Sequence, residues 1–84
     1  MDIAALALFA VGYPVSIGVI VRWVPVVREQ RWRWFGIHQA AVAAIVAGHA
    51  LRGSPRSVAV NGTWFVLAAA WYLVAGVLSR RRRP

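Results

Sequence analysis

The chain is 84 residues long, 61% of its residues are hydrophobic, and its formal net charge is +8. A soluble domain carries about 45 to 50% apolar residues, and an interior of this size cannot bury the excess. A soluble globular fold is therefore excluded, and lipid must cover the remaining apolar surface. The absence of cysteine also excludes disulfides and thiolate metal sites.

Three apolar stretches occupy most of the chain, and each is long enough to cross a membrane as a helix. They cover about residues 3–24, 35–51 and 63–79. A hydrocarbon core of about 30 Å requires roughly 20 helical residues, with about 17 as the lower limit. The sequence therefore predicts an all-α membrane protein, a single domain of three transmembrane helices with a basic tail at 80–84.

Arginine is distributed unequally between the two sides that three helices would define. The first connection and the tail lie on one side and hold eight Arg, whereas the second connection holds only Arg52 and Arg56. The positive-inside rule places the Arg-rich side in the cytoplasm. We therefore expect an N-terminus outside, a cytoplasmic C-terminus and a multi-pass location in the cell membrane. This placement accounts for the charge, so no nucleic-acid partner is expected.

Two prolines shape the prediction for the first helix. Pro14 lies mid-span and removes a backbone hydrogen bond, which predicts a kink that is either a static bend or a hinge. Pro25 disfavours helix at Val24, so we expect the first span to end there.

Aromatic and basic residues near the ends of the spans predict anchors at the membrane surface. Tryptophan prefers the headgroup level, and guanidinium groups bind lipid phosphates. Trp64 is expected to be one anchor, whereas Trp71 and Tyr72 are too central and should pack against another helix. In the first connection the segment 28–35 reads REQRWRWF. The other predicted anchors on anionic headgroups are Trp23, Trp32, Trp34, Arg28, Arg31, Arg33, Arg80, Arg81, Arg82 and Arg83.

The second predicted helix carries a small residue at every fourth position. Gly36, Ala40, Ala44 and Gly48 form this small-residue ridge. No hydrophobic force joins helices in lipid, so their association depends on close backbone approach, which small residues allow. We therefore predict that the ridge packs against another helix, either of the same chain or of a second copy.

The same helix carries polar residues on a different face. His38 and His49 fall about 20° from each other around a helix with 100° per residue, and roughly 16 Å apart along it. Polar residues inside a span line a water-filled path, take part in a relay, or reach a neighbouring group or the interface. Three alternatives therefore remain open: packing or interfacial histidines, a polar lumen of His38, Gln39 and His49, and haem ligation through His38 or His49. The histidines are too far apart to share a zinc ion.

The start of the third helix has two interpretations. Ser54 and Pro55 read as an N-cap followed by Pro at the first helical position, which favours a helix from there. Asn61 and Gly62 read as a turn, which favours a span that starts at Thr63. The second interpretation is preferred, because the chain from Thr63 to residue 79 already supplies about 17 residues.

The sequence lacks the groups that catalysis or proton-coupled exchange would need. The carboxylates are Asp2 and Glu29, on opposite sides of the membrane, and no span contains Asp, Glu, Lys or Arg. There is no serine with a His and acid set around it, and no Gly-rich phosphate loop. We therefore expect neither enzymatic activity nor a bound metal or other cofactor beyond the haem alternative.

Four features occur together in one class of small membrane proteins. They are three spans in a short chain, Asp2 at an N-terminus without basic residues, a weakly hydrophobic middle helix and the tail Arg80–Arg83. With these features the chain resembles class I phage holins, which oligomerise in the inner membrane and open lesions for a cell-wall hydrolase. The first connection departs from this class, because it carries more Arg and Trp residues than such a connection needs. The resemblance implies that helix two joins subunits through its small-residue ridge and lines the lesion with its polar residues.

A second hypothesis fits the same ridge and the same central aromatic residues. The chain would then be an accessory subunit that packs against a larger membrane complex. A third is a b-haem electron-transfer subunit, for which the sequence supplies histidines but no partner ligands.

The charge asymmetry makes topology directly testable. A reporter that is active only outside the cytoplasm should work when it is fused before Asp2 or inserted in the predicted loop at Ser57, and should fail after Pro84. Activity at the C-terminus would overturn the arrangement of three spans.

Overall fold

Four helices make up the described part of this computed structural model, which covers residues 3–82. They are α1 (Ile3–Val21), α2 (Trp23–Arg28), α3 (Trp32–Leu51) and α4 (Pro55–Arg82). No strand occurs among these residues. α1, α3 and α4 are each long and apolar enough to cross a membrane, which confirms the predicted all-α membrane fold with three transmembrane helices. The predicted roles of Asp2, Arg83 and the Arg82 side chain fall outside the described residues.

α1 and α2 follow each other with a break only at Arg22. α1 remains helical through Pro14. The Arg22 N–H donates to the Val19 carbonyl at 2.9 Å, a tighter turn than that of an α-helix. Pro25 lies in the first turn of α2, where a missing N–H removes no bond within the helix. Helical structure therefore continues past Pro25, where the sequence predicts the end of the first span.

A short turn built on glycine joins α3 to α4. Gly53 has a φ of +70°, a conformation that glycine adopts without strain. Its N–H donates to the Ala50 carbonyl at 3.0 Å. The Ser54 N–H donates to the His49 carbonyl, also at 3.0 Å, which completes a Schellman motif at the end of α3. α4 begins directly afterwards at Pro55, a position where proline is favoured.

α4 runs without interruption through Asn61 and Gly62, so the preferred start at Thr63 is wrong. The Asn61 Nδ2 donates to the Ser57 carbonyl at 2.9 Å, and the amide is therefore used inside the helix instead of in a turn. Glycine lowers helix stability by only about 1 kcal/mol relative to alanine, which a helix of 28 residues tolerates. Ser57 lies in the first turn of α4, so the turn at Gly53 is the better insertion point for a topology reporter.

α3 lies between α1 and α4 and contacts both. Phe9 of α1 lies against Gly48 of α3. Further along α1, Gly12 lies against Ile45, so the two helices run antiparallel. α4 packs on α3 and α2 without a close backbone approach to α1. The molecule is 53 Å long, so its ends extend beyond a hydrocarbon core of about 30 Å.

Gln30 forms a hydrogen bond to α4 at the Arg-rich end of the molecule. It adopts a left-handed backbone conformation, with φ of +53°, between α2 and α3. Its side-chain Nε2 donates to the Val27 carbonyl at 2.8 Å and to the Tyr72 carbonyl of α4 at 3.2 Å. Gly76 lies against the Gln30 amide with no room for a Cβ. Gln30 therefore links α4 to the connection between α2 and α3.

The small-residue ridge of α3 is divided between two environments. Gly48 is buried against the Phe9 ring, whereas Gly36 and Ala40 are exposed and Ala44 is half-buried. Residues four apart on a helix precess by about 40° per step, so the ridge rotates by about 120° from Gly36 to Gly48. Within the chain only the Gly48 end makes the predicted contact. Packing of the other end against a second copy stays a prediction.

The two ends of the ridge should respond differently to the same substitution. A Cβ at Gly48 would lie 2.6 Å from the Phe9 ring, whereas one at Gly36 would meet nothing within 4 Å. We expect Gly48→Ala to lower the free energy of unfolding by about 1 to 3 kcal/mol through overpacking. Gly36→Ala should leave it unchanged or raise it by up to about 1 kcal/mol through helix propensity. Circular dichroism of unfolding in detergent measures both, and equal effects would contradict the close approach at Gly48.

Candidate functional site

The two histidines lie inside the helix bundle, each in a polar cluster of its own. His38 is fully buried, and His49 is 6% exposed. Val42 and Ile45, on the same face of α3, are buried as well. The face that carries both histidines is thus the one that α3 turns toward the other helices.

His38 connects α3 to α4 through a chain of hydrogen bonds. The Trp64 Nε1–H donates to His38 Nε2 at 3.0 Å. An indole N–H can only donate, so Nε2 is unprotonated and the proton is on Nδ1. The Nδ1–H donates to Gln39 Oε1 at 3.0 Å, and Gln39 Nε2 donates to the Phe65 carbonyl at 3.1 Å. Every donor in this chain therefore has an acceptor.

His49 connects α3 to α1 with the opposite tautomer. A guanidinium group can only donate, so the Arg52 Nη1 contact at 3.3 Å makes His49 Nδ1 an acceptor. The proton is then on Nε2, which donates to the Tyr13 hydroxyl oxygen at 2.9 Å. The Phe9 ring covers the imidazole, with 4.6 Å between the ring centres. The partners of the two histidines thus assign them opposite tautomers.

The hydrogen bonds of the two clusters occupy both ring nitrogens of each histidine. A haem iron binds an unprotonated ring nitrogen, so ligation would break the bond from Trp64 or the one from Arg52. The geometry is that of packing histidines, which join membrane helices by hydrogen bonds across their interface. A lumen lined by His38, Gln39 and His49 would require the helices to separate, and it stays a prediction.

Trp23, predicted as an anchor at the membrane surface, lies at the centre of an aromatic cluster inside the bundle. Its side chain is 6% exposed. Its ring centre lies 5.0 Å from that of His38 and 5.9 Å from those of Trp64 and Trp71. Because Trp23 is the first residue of α2, it shares an inward face with Val26, three positions later in the same helix. The indole Nε1 of Trp23 has no hydrogen-bond partner among the described residues.

The other predicted anchors of the first connection lie at the surface. Trp32 and Trp34 are 69% and 46% exposed, and the Arg33 guanidinium lies 5.5 Å from the Trp32 ring centre. Arg31 forms an ion pair with Glu29 at 3.2 Å. Contact of these groups with lipid headgroups stays a prediction. Also exposed are the remaining anchors with described side chains, Arg28, Arg80 and Arg81.

The side of α3 opposite the histidines carries no large side chain along its middle. Every exposed residue of α3 between Ile37 and Leu51 is alanine. The exposed sides of α1 and α4 instead carry large residues such as Ile17 and Leu67, each 57% exposed. Spacings of four and three residues keep these small residues on one stripe. This outer face of α3 consists of Gly36, Ala40, Ala43, Ala47 and Ala50.

The partners of the histidines were not predicted from the sequence. Tyr13 carried no prediction, and Trp64 was expected at the membrane surface. One signal was present, because an aromatic hydroxyl or indole N–H inside a span needs a hydrogen-bond partner. The pairing itself depends on the register between helices, which a single sequence does not contain.

Comparison of the chain with protein-family models, curated proteins and solved structures found no match. Among the described residues, no three His, Cys, Asp or Glu side chains are grouped as metal ligands would be. The function is therefore argued from the two polar clusters and the outer face of α3.

The opposite tautomers of the two histidines can be observed directly. In ¹⁵N-labelled protein in micelles at neutral pH, long-range proton–nitrogen spectra should show His38 protonated on Nδ1 and His49 protonated on Nε2. Trp64→Phe removes the donor to His38 and should mix its tautomers without changing His49. Two identical tautomers, or a charged imidazole in the unsubstituted chain, would contradict the hydrogen-bond assignment.

Proposed function

We propose that this chain is a small integral membrane protein that acts by packing against other membrane helices through the outer face of α3. The observation that carries this proposal is the run of alanines exposed between Ile37 and Leu51. Small residues let two helix backbones approach closely, and this approach drives association in lipid. A face that met only lipid would have no need to be uniformly small.

The proposal includes an orientation and a location. The Arg-rich end, with the connection between α2 and α3 and the end of α4, faces the cytoplasm of a cell inner membrane. The charge asymmetry of the sequence supports this orientation. The exposed Arg and Trp side chains at that end then contact anionic headgroups.

Between the two functions considered from the sequence, an accessory subunit of a larger membrane complex has the better support. His38 and His49 are buried, and their hydrogen bonds are made within the chain. The closed bundle thus presents small and apolar residues, not a polar face, along the middle of its spans. An accessory subunit binds its partner through such a surface without any opening of the bundle.

Holin-type permeabilisation by a homo-oligomer is the second candidate, and one structural observation favours it. α4 contacts α3 and α2 but makes no close backbone approach to α1. Separation of α4 would therefore expose His38 and Gln39 while the α1–α3 pair remained intact. A ring of such opened subunits would have the polar lumen that the holin resemblance implies.

Cysteine crosslinking provides a clean test of the outer face, because the chain has no cysteine of its own. Ala40→Cys, on the outer face, is matched by Ala70→Cys on the exposed side of α4. We expect oxidation in membranes to join Ala40→Cys chains to each other or to a partner subunit that carries a cysteine. Ala70→Cys chains should stay monomeric. Equal crosslinking of both variants would contradict an interface at the outer face.

Induced expression of the chain in living cells distinguishes the two functions. Induction of a holin should, after a delay, abruptly collapse the membrane potential and release a co-expressed cytoplasmic cell-wall hydrolase. Induction of an accessory subunit should leave the potential intact. In that case Gly36→Leu with Ala40→Leu should shift the chain from a large complex to a smaller species on a native gel. Ala10→Leu on α1, an exposed alanine in another span, is the matched control.

A further inference from the structure

A half-open cleft of about 680 Å³ lies between α1, α2 and the start of α3. This volume is within the range of about 300 to 1,000 Å³ that is typical of small-ligand pockets. One part of its wall is apolar and includes Pro14, Val15 and Gly18 of α1 and Ile37 of α3. None of the described residues that line it belongs to α4. The cleft is therefore a feature of the α1–α3 side of the molecule, separate from the polar cluster at His38.

The other part of the wall carries charge. Arg22, Glu29 and Arg31 line the cleft, which gives it one net positive charge. Arg31 is paired with Glu29 at 3.2 Å. The Arg22 guanidinium has no hydrogen bond or ion pair within the described part of the chain. Arg22 is thus the cation of the cleft that is free to bind an external anion.

The cleft extends from the first candidate span into the connection that follows it. Pro14, Val15 and Gly18 lie within the first candidate span, which ends at Val21. Arg22 follows that span directly, and Glu29 lies in the connection beyond it. An occupant must therefore have an apolar part at the depth of the hydrocarbon and an anionic part at the depth of the headgroups.

We infer that the cleft is a binding site for one anionic phospholipid. The lipid phosphate contacts the Arg22 guanidinium, and the upper part of one acyl chain lies along Val15 and Gly18. Gly18 makes room for the chain, because a Cβ built there meets no atom within 4 Å. Basic pockets between transmembrane helices are a recurrent form of lipid headgroup site.

The charge of the cleft favours a phospholipid with one net negative charge over a zwitterionic one. Glu29 neutralises Arg31, so Arg22 remains to balance a single phosphate. A soluble anion would use Arg22 but not the apolar wall, and an apolar peptide would leave Arg22 uncompensated. An anionic phospholipid satisfies both parts of the cleft.

The test compares two matched pairs of variants in nanodiscs of equal parts phosphatidylglycerol and phosphatidylcholine. Arg22→Gln removes the cleft cation, and Arg28→Gln removes the same charge from an exposed residue outside the lining. Gly18→Leu fills the cleft, and Gly62→Leu adds the same side chain to α4, where a Cβ also meets no atom within 4 Å. Native mass spectrometry counts the phospholipids that each chain retains, and circular dichroism confirms equal helix content.

The unsubstituted chain should retain one phosphatidylglycerol in preference to phosphatidylcholine. Arg22→Gln should lower that retention about fivefold, the effect of one basic residue near a membrane surface. Arg28→Gln removes only a headgroup contact outside the cleft and should lower it less. Gly18→Leu should lower retention where Gly62→Leu does not. Glu29→Gln releases Arg31 and should raise it.

Four results would overturn the inference. Equal losses in Arg22→Gln and Arg28→Gln would show only diffuse surface charge. Equal retention of the two phospholipids by the unsubstituted chain would remove the anionic preference. Full retention by Gly18→Leu would show that no acyl chain occupies the cleft, and equal binding of free glycerophosphate would show a simple phosphate site.

Discussion

A polar side chain in the hydrocarbon core finds no water, so its hydrogen bonds must be made inside the protein. α3 is the least apolar of the three spans, with a mean hydropathy of 1.3 against 2.2 for α1 and 1.6 for α4. It is also the helix that contacts both of the others. The central position of α3 follows from this constraint. The helix with the most polar groups needs hydrogen-bond partners from two neighbouring helices. Tyr13 of α1 is the partner of His49, and Trp64 of α4 is the partner of His38.

The two interfaces of α3 are held together in different ways. Against α1 the contact is close, and glycines on both helices allow it, with Gly12 facing Ile45 and Gly48 facing Phe9. Against α4 the contact is aromatic and hydrogen-bonded, as in the Trp64–His38 pair. Close-packed backbones leave little freedom, whereas α4 is attached through side chains. The α1–α3 interface is therefore the more closely packed of the two.

The number of spans could be predicted from the sequence because it depends on hydropathy and length alone. One prediction failed because it depends on neighbouring residues, and another was incomplete for the same reason. Trp23 was predicted as a surface anchor from its place beside Arg22, and its position at the start of α2 turns its side chain into the bundle. Asn61 was assigned to a turn from its residue type, but its amide found an acceptor within α4.

The small-residue ridge and the histidine face also show that a sequence pattern does not give the positions of neighbouring helices. Both were identified correctly as patterns, but a repeat of four residues does not remain on one side of a helix. The rotation of about 120° from Gly36 to Gly48 puts one end in the bundle and the other outside. The stripe that stays outside has spacings of four and three, from Gly36 through Ala40 to Ala50. Only knowledge of where α1 and α4 lie distinguishes the two stripes.

The opposition of the two faces of α3 bears on which function the chain can perform. A helix that binds the outer face does not compete with α1 or α4, so such binding alone leaves the polar clusters closed. Opening α4 would break its bonds to His38, Gln39 and Gln30. At about 0.6 kcal/mol for each in a bilayer, these bonds contribute only about 2 kcal/mol together. Packing of α4 in the buried cluster that contains Trp23, Ala68 and Tyr72 must therefore contribute to its attachment, and a holin-type lesion would need a second event that replaces that packing.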